Sequence, residues 1–332
     1  MFNRFHGTLI DLTGIILFGL AVYLLSFSDW IQSLIKLPSS VYTMSTIFLS
    51  ILIEALPFVL IGVMIAGSIQ IFITEDHIRK WMPKNKFSAV IMSCVLGACF
   101  PGCECGIVPI TRKLLQKGVP IYAAIGFMLT GPLINPIVIA STYMAFGNSW
   151  MMAISRMLLG FFLAVIIASV VSLLFHTNQL KEVIPDKIPV SKGIPTGFGK
   201  KFGNALKHGV DEFFDMGKYL IIGCLFAAFV QTYVSSEKLM ELGEGTASAS
   251  LVMMGLAYLL SLCSEADAFV AASFQHAFPP IPILSFLIYG PMIDLKNTLM
   301  MFSIFHKKFV FIFLLIVTVI VFGGLILVQG FY

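Results

Sequence analysis

Long apolar runs, broken by short polar segments, dominate the chain. Each is close to the ~20 residues needed to span a hydrocarbon core of roughly 30 Å. Seven stand out as crossing segments: 8–27, 45–72, 119–146, 150–175, 216–234, 281–304 and 309–329. Two further apolar stretches, 87–111 and 250–276, are interrupted near their middles. The first is broken by Cys99-Phe-Pro-Gly-Cys-Glu-Cys-Gly106 and the second by Cys263-Ser-Glu-Ala-Asp267. Segments of this kind either cross once as broken helices or dip into the bilayer and return as hairpins.

Basic residues discriminate between these options, because loops rich in Lys and Arg stay in the cytoplasm. The longest loop, 176–213, carries Lys181, Lys187, Lys192, Lys200, Lys201 and Lys207 and is placed inside. With both interrupted segments as hairpins, Arg79/Lys80/Lys84/Lys86, Arg112/Lys113/Lys117 and Lys307/Lys308 also fall inside, together with Arg4. The acidic residues Glu237, Glu241 and Glu244 then fall outside. With both segments as crossings, Arg112/Lys113/Lys117 land opposite Arg79/Lys80, and Lys307/Lys308 land outside. The pattern therefore predicts an all-α polytopic membrane protein with seven crossings, a cytoplasmic N-terminus and an external C-terminus. Residues 8–27 lack a small-residue cleavage site after them and read as a retained helix.

The chain also resembles itself. Glu54-Ala-Leu-Pro-Phe-Val-Leu-Ile-Gly62 aligns with Asp215-Met-Gly-Lys-Tyr-Leu-Ile-Ile-Gly223 at an offset of 161, which also pairs Gln70 with Gln231 and Glu104 with Glu265. With a two-residue deletion, Gly131-Pro-Leu-Ile-Asn135 meets Gly290-Pro-Met-Ile-Asp294. Apolar matches come cheaply in such a sequence, whereas rare polar residues falling into register do not. The expected organisation is an N-terminal helix within 1–40, a first repeat over 41–175 and a second over 214–332. Between the repeats lies a basic, Pro- and Gly-punctuated linker over 176–213, with an interfacial helix near its end. Each repeat holds a broken hairpin and three crossings, so the second copy is inverted relative to the first. Binding sites in such arrangements lie near the midplane, where discontinuous helices meet.

Composition reinforces this picture. Residues are 58% hydrophobic and only 11% charged, against about 25% charged in soluble domains. The net charge of +4 is confined to loops, so it does not point to nucleic acid. Cys94, Cys99, Cys103, Cys105, Cys224 and Cys263 lie in or beside apolar runs, which excludes a secreted disulfide scaffold. No phosphate-binding loop, G-x-S-x-G or H-E-x-x-H motif occurs, and no histidines show metal-ligand spacing. An ATP-driven pump, an enzyme, a bound cofactor and a resident metal are therefore not expected. The expected partners are the lipid bilayer and a small solute, with a membrane-protein partner or homo-oligomer left open.

The hairpin tips carry the candidate chemistry. Cys99, Cys103 and Cys105 cluster at one break, and Cys263 lies at the other. Thiolates favour soft metals and thiophilic metalloids, and thiols can also exchange with disulfides. Cys94 and Cys224, inside regular helices, read as packing residues. Glu104 and Glu265 are ionisable groups at membrane depth, functional by default and suited to carry protons. They are also placed to cap half-helix N-termini. Asp267 is positioned to share a proton with Glu265. Asn135 and Asp294 follow Gly-Pro pairs, where their helices are expected to kink and their side chains either line the solute path, as substrate-binding residues, or satisfy freed backbone groups. Glu54 and Asp215 read as structural residues near helix entry ends, and Gln70 and Gln231 as interhelical hydrogen bonders.

The runs Gly97-Ala-Cys-Phe-Pro-Gly-Cys-Glu-Cys-Gly-Ile-Val-Pro109, Gly118-Val-Pro120, Gly131-Pro-Leu-Ile-Asn-Pro136 and Ser264-Glu-Ala-Asp-Ala-Phe-Val-Ala-Ala-Ser273 resemble a bacterial "predicted permease" family. That family includes the organoarsenical efflux permease ArsP and proteins of the YraQ and YcgR types, and the likeness is closer to the YcgR type. The resemblance, over about 45–328, implies a permease of the bacterial plasma membrane. It also implies that Cys99, Cys103 and Cys105 are counterparts of cysteines that bind metalloid in ArsP-like members. The cargo stays open between a thiophilic metal, a metalloid or organoarsenical and some other small solute. An intramembrane thiol oxidoreductase and a non-transporting subunit of a membrane complex are the alternative readings.

Overall fold

The computed structural model describes residues 39–72, 78, 80, 82–100, 102–175, 179–181, 198–233, 245–275 and 277–331, without the side chains of 70–72, 198–208, 212, 215 and 331. The expected crossing at 8–27, the acidic loop holding Glu237, Glu241 and Glu244, and most of the basic linker lie outside these residues.

Among the described residues the architecture is all-helical. A long helix α1 (Ser39–Phe72) is followed by α2 (Lys86–Ala98), α3 (Glu104–Gln116), α4 (Ile121–Ile134), α5 (Pro136–Ala145) and α6 (Trp150–Leu174). Then come α7 (Phe198–Tyr233), α8 (Thr246–Leu260), α9 (Ser264–Ser273), α10 (Pro280–Met292), α11 (Leu295–Ile304) and α12 (Lys307–Val328). Among the described residues, five stretches are long and apolar enough to cross a membrane: Ser39–Ile69, Ile121–Ala145, Trp150–Leu174, Gly209–Tyr233 and Lys307–Val328. The chain is a multi-pass membrane protein.

The long helices α1 and α7 pack along one another, while α4, α6, α10 and α12 build the opposite side of the bundle. The core is continuous across both groups, with Val59, Ile107, Leu129, Leu133, Ile288 and Phe313 fully buried. Outward faces carry Ile61, Leu158, Phe162, Ile222 and Leu315. This apolar exterior suits lipid, which has no hydrophobic penalty to exact.

Two helices expected to kink are instead broken. The segment 119–146 divides at Asn135, and 281–304 divides at Ile293-Asp294. The prolines of the Gly-Pro pairs, Pro132 and Pro291, stay inside α4 and α10. The breaks come three residues later because Asn135 and Asp294 start new helices. Asn135 accepts from the Val138 N–H at 2.9 Å, and Asp294 accepts from the Asn297 N–H. A side chain bonded to an orphan N–H of the first turn is the standard stabiliser of a helix start. Pro136, which lacks an N–H, occupies the first position of α5 without loss of a hydrogen bond.

The interrupted segments also break earlier than their polar residues suggest. Cys103 is the capping residue of α3, so Glu104 and Cys105 lie in its first turn. Ser261–Cys263 separate α8 from α9, so Glu265 and Asp267 lie in the first turn of α9. Carboxylates there face the positive end of the helix dipole.

Candidate functional site

The site begins with a close helix crossing. An added Cβ on Gly62 would lie 2.4 Å from the Gly106 carbonyl oxygen, and one on Gly106 would lie 2.7 Å from the Phe58 carbonyl oxygen. Only two glycines allow α1 and α3 this contact. One turn before Gly62 on the same face of α1 is Phe58, and one turn before that is Glu54. The crossing therefore brings Glu54 and Phe58 against the start of α3.

A small cavity of about 10 Å³ lies here, lined by Glu54, Phe58, Cys103, Glu104, Cys105, Cys263 and Lys296 among others. That volume holds about one water-sized particle. Its residues come from both halves of the chain. Glu104 is 2% exposed and is held from the second half. Lys296 Nζ lies 3.4 Å from its Oε1, and the Ser264 hydroxyl donates to its Oε2 at 3.2 Å. Lys296 lies 3.7 Å from Asp294 Oδ2 and donates to the Ser261 carbonyl at 3.3 Å. The Cys263 thiol donates to Glu54 Oε1.

A second polar cluster adjoins the first. Arg156 of α6 is 1% exposed. Its Nη1 donates to Thr142 Oγ1 of α5 at 2.7 Å and its Nη2 to the Ser264 carbonyl at 3.2 Å. Asp267 is buried and packs against Gly290, where an added Cβ would come within 2.9 Å of its Oδ2. Arg156 Nε, Glu265 Oε2, Asp267 Oδ2, Asp294 Oδ2 and Asn297 Oδ1 are buried without hydrogen-bond partners among the described residues.

Of the residues picked out from sequence, Cys103, Glu104, Cys105 and Cys263 meet at the cavity. Asp294 stands behind it through Lys296, and Asp267 belongs to the Arg156 cluster. Glu265 sits in the first turn of α9, two residues past Cys263, and does not line the cavity. Asn135 caps α5 and does not line it either. Cys99 is exposed at the end of α2 and does not join the other thiols. All six thiols are free. Glu54, expected to be an interfacial structural residue, is instead at the middle of the candidate span Ser39–Ile69 and lines the cavity. The span starts earlier than the expected residue 45, and this moves Glu54 inward. Gln231 bonds across helices as expected, donating to the Leu260 carbonyl. The side chains of Gln70 and Asp215 lie outside those described.

Lys296 and Arg156 were missed by reasoning from sequence. The signal was present, since a lone cation deep in an apolar segment is a functional residue by default. The more numerous acids nearby masked it.

Residues 40–329 match the family described as Predicted permease. The chain is a member of that family. The permease is 49% identical over 292 residues to the YcgR protein of Bacillus subtilis (strain 168), covering 88% of this chain and 99% of that protein. It is 43% identical over 274 residues to a protein of Streptococcus mutans named a putative two-component membrane permease complex subunit, covering 82% of this chain and 91% of that protein. No solved structure matches the permease. Membership of this family favours a transporter over an enzyme.

Proposed function

We propose that the permease is a secondary transporter that moves a small solute through the cavity between its two halves. The observation that carries this reading is Glu104. A buried carboxylate from α3 is held by Lys296 and Ser264 from the second half, beside a cavity with three thiols. A contact of this kind must exchange whenever one half moves against the other, which ties solute binding to alternating access.

In this reading the halves are inverted repeats, and α2–α3 and α8–α9 are re-entrant hairpins. The element series supports it: a long helix, two short ones, two short ones divided by a capping break, and a long helix, twice in succession. Helices α2 and α8, of 13 and 15 residues, extend only about 20–23 Å at 1.5 Å per residue, short of a 30 Å core. The N-terminus is cytoplasmic and the C-terminus external in a bacterial plasma membrane. Glu104 and Glu265 are the proton-coupling groups; Cys103, Cys105, Cys263, Asp267 and Asp294 complete the solute path.

The test is flux into inside-out vesicles across a panel of arsenicals, metal ions and thiols, comparing the native permease with Cys103→Ser and Glu104→Gln. Transport of at least one panel member, reduced tenfold or more by Glu104→Gln, is expected. A panel in which nothing moves in a variant-sensitive way would sink the reading. The name of the Streptococcus mutans relative favours a second component in the membrane, so the assay is run in native membranes as well as with the purified chain.

A further inference from the structure

Resting on the transport reading, we propose that Glu104, Lys296 and Asp294 form a relay that holds one exchangeable proton. Its passage between the two carboxyls moves Lys296 off the contact between the halves. The relay adds Asp294 to the coupling machinery and gives the exchange at Glu104 a mechanism.

Geometry comes first. Lys296 Nζ stands 3.4 Å from Glu104 Oε1 and 3.7 Å from Asp294 Oδ2, and all three residues are buried. Both contacts are longer than the 2.7–2.9 Å of a tight charge-assisted bond. The ammonium is thus shared between two carboxyls rather than committed to one. Asp294 Oδ2 makes no hydrogen bond among the described residues.

Charge comes second. With all three groups ionised, one negative charge is left over in a buried site. Two carboxylates in one site relieve such a surplus by holding a proton between them. One proton makes the triad neutral. The groups facing it supply no further positive charge: Glu54 from α1, Cys103 and Cys105 from α3, Cys224 from α7, Tyr258 from α8, and Cys263, Glu265 and Asp267 from α9 are neutral or acidic. Arg156 of α6 is engaged by Thr142 and the Ser264 carbonyl, and its charge acts on Asp267. Arg112 and Lys113 lie more than two turns further along α3.

Comparison of the two halves comes third. Asn135, at the matching position after the first Gly-Pro pair, caps α5 with a neutral amide. Capping therefore needs no charge, and the ionisable group at Asp294 exceeds what its helix requires. Two residues past each cap, the first half carries an exposed Ile137 and the second a buried Lys296. The acid and the cation occur together, on the helix that packs against α3.

In the relay, the Lys296 ammonium hands a proton to Glu104 Oε1 and takes one from a protonated Asp294 Oδ2. The triad is neutral before and after. Before the step, Lys296 ties α11 to α3 through an ion pair. Afterwards its ion pair is with Asp294 on its own helix, and the Ser264 hydroxyl faces an uncharged Glu104. The halves are then released to move. Asp294 Oδ1 keeps the Asn297 N–H throughout, so α11 stays capped.

Infrared difference spectroscopy of the purified full chain in detergent tests this, through the C=O stretch of protonated carboxyls at neutral pH. Native-minus-variant spectra cancel the carboxyls outside the triad. Glu104→Gln and Asp294→Asn should each lose the intensity of one protonated carboxyl, because the acid that remains ionises against Lys296. Lys296→Met should gain the intensity of one, because neither acid then has a cation. Asp294→Asn keeps a capping oxygen, as Asn135 shows; should Lys296→Met fail to fold, the two amide variants decide alone. A band retained in full by either folded amide variant overturns the relay. The transport reading survives that result if vesicle flux still finds a cargo dependent on Glu104, and falls only if it finds none.

Discussion

The Ser264 hydroxyl donates to the Glu104 carboxylate at 3.2 Å across a sequence separation of 160 residues. Each residue opens a short helix, so the starts of α3 and α9 meet head to head. The Ser264 carbonyl is meanwhile taken by Arg156. One residue thus ties three helices together at the level of the cavity.

Ser264→Ala removes this bond and leaves Lys296 as the remaining partner of Glu104. A net cost of about 1 kcal/mol is expected, read as a lowered midpoint of thermal unfolding in detergent. A midpoint equal to that of the native chain would mean that the bond contributes nothing.

Glu104 and Lys296 form a pair buried at 2% and 2% exposure. Removing Lys296 strands both Glu104 and Asp294, so Lys296→Met should cost on the order of 3 kcal/mol; Glu104→Gln leaves Lys296 paired with Asp294 and should cost less. The double variant no longer strands Glu104 and should cost less than the two singles combined by more than about 1 kcal/mol. Strict additivity in this cycle would show that the pair is not coupled.

Arg156 bridges a hydroxyl and a carbonyl on different helices with two arms of one planar fork. A lysine carries the charge but cannot span both acceptors in that geometry. Arg156→Lys is therefore expected to lose most of the flux that Arg156→Met loses, in the vesicle assay. Native flux in the Arg156→Lys variant would reduce the role of Arg156 to its charge.

At Gly62 a methyl group would collide with backbone of α3 at 2.4 Å, while at Gly323 it would meet nothing within 4 Å. Gly62→Ala should cost about 1–3 kcal/mol through forced separation of α1 and α3. Gly323→Ala should fall within about 0.5 kcal/mol of the native value. Comparable thermal midpoints for the two variants would contradict the close crossing.

Orientation is open to labelling. Lys113, in the basic cluster expected inside, is only 9% exposed, whereas Gln116 one turn on is exposed. A cysteine at 116, with Cys99 replaced by serine, should react with an impermeant maleimide from the cytoplasmic side only. Reaction from outside would reverse the topology.

Hydropathy and composition alone established a helical, multi-pass membrane protein, because ~20-residue apolar runs with few charges have no other stable home. The rare polar residues pointed to the region of the candidate site, since an acid at membrane depth is a functional residue by default. The family resemblance, carried by those same residues, held over residues 40–329. Tertiary structure decided the rest. The offset of 161 pairs Glu104 with Glu265, yet counted from the helix starts Cys103 corresponds to Cys263 and Glu104 to Ser264. One residue of register is about 100° around a helix, enough to turn a side chain from a cavity to its neighbour. Glu54 and Lys296 joined the site because a Gly62–Gly106 crossing and a capping Asp294 fixed where their helices lie. Both facts depend on contacts between distant segments, which a hydropathy pattern does not encode.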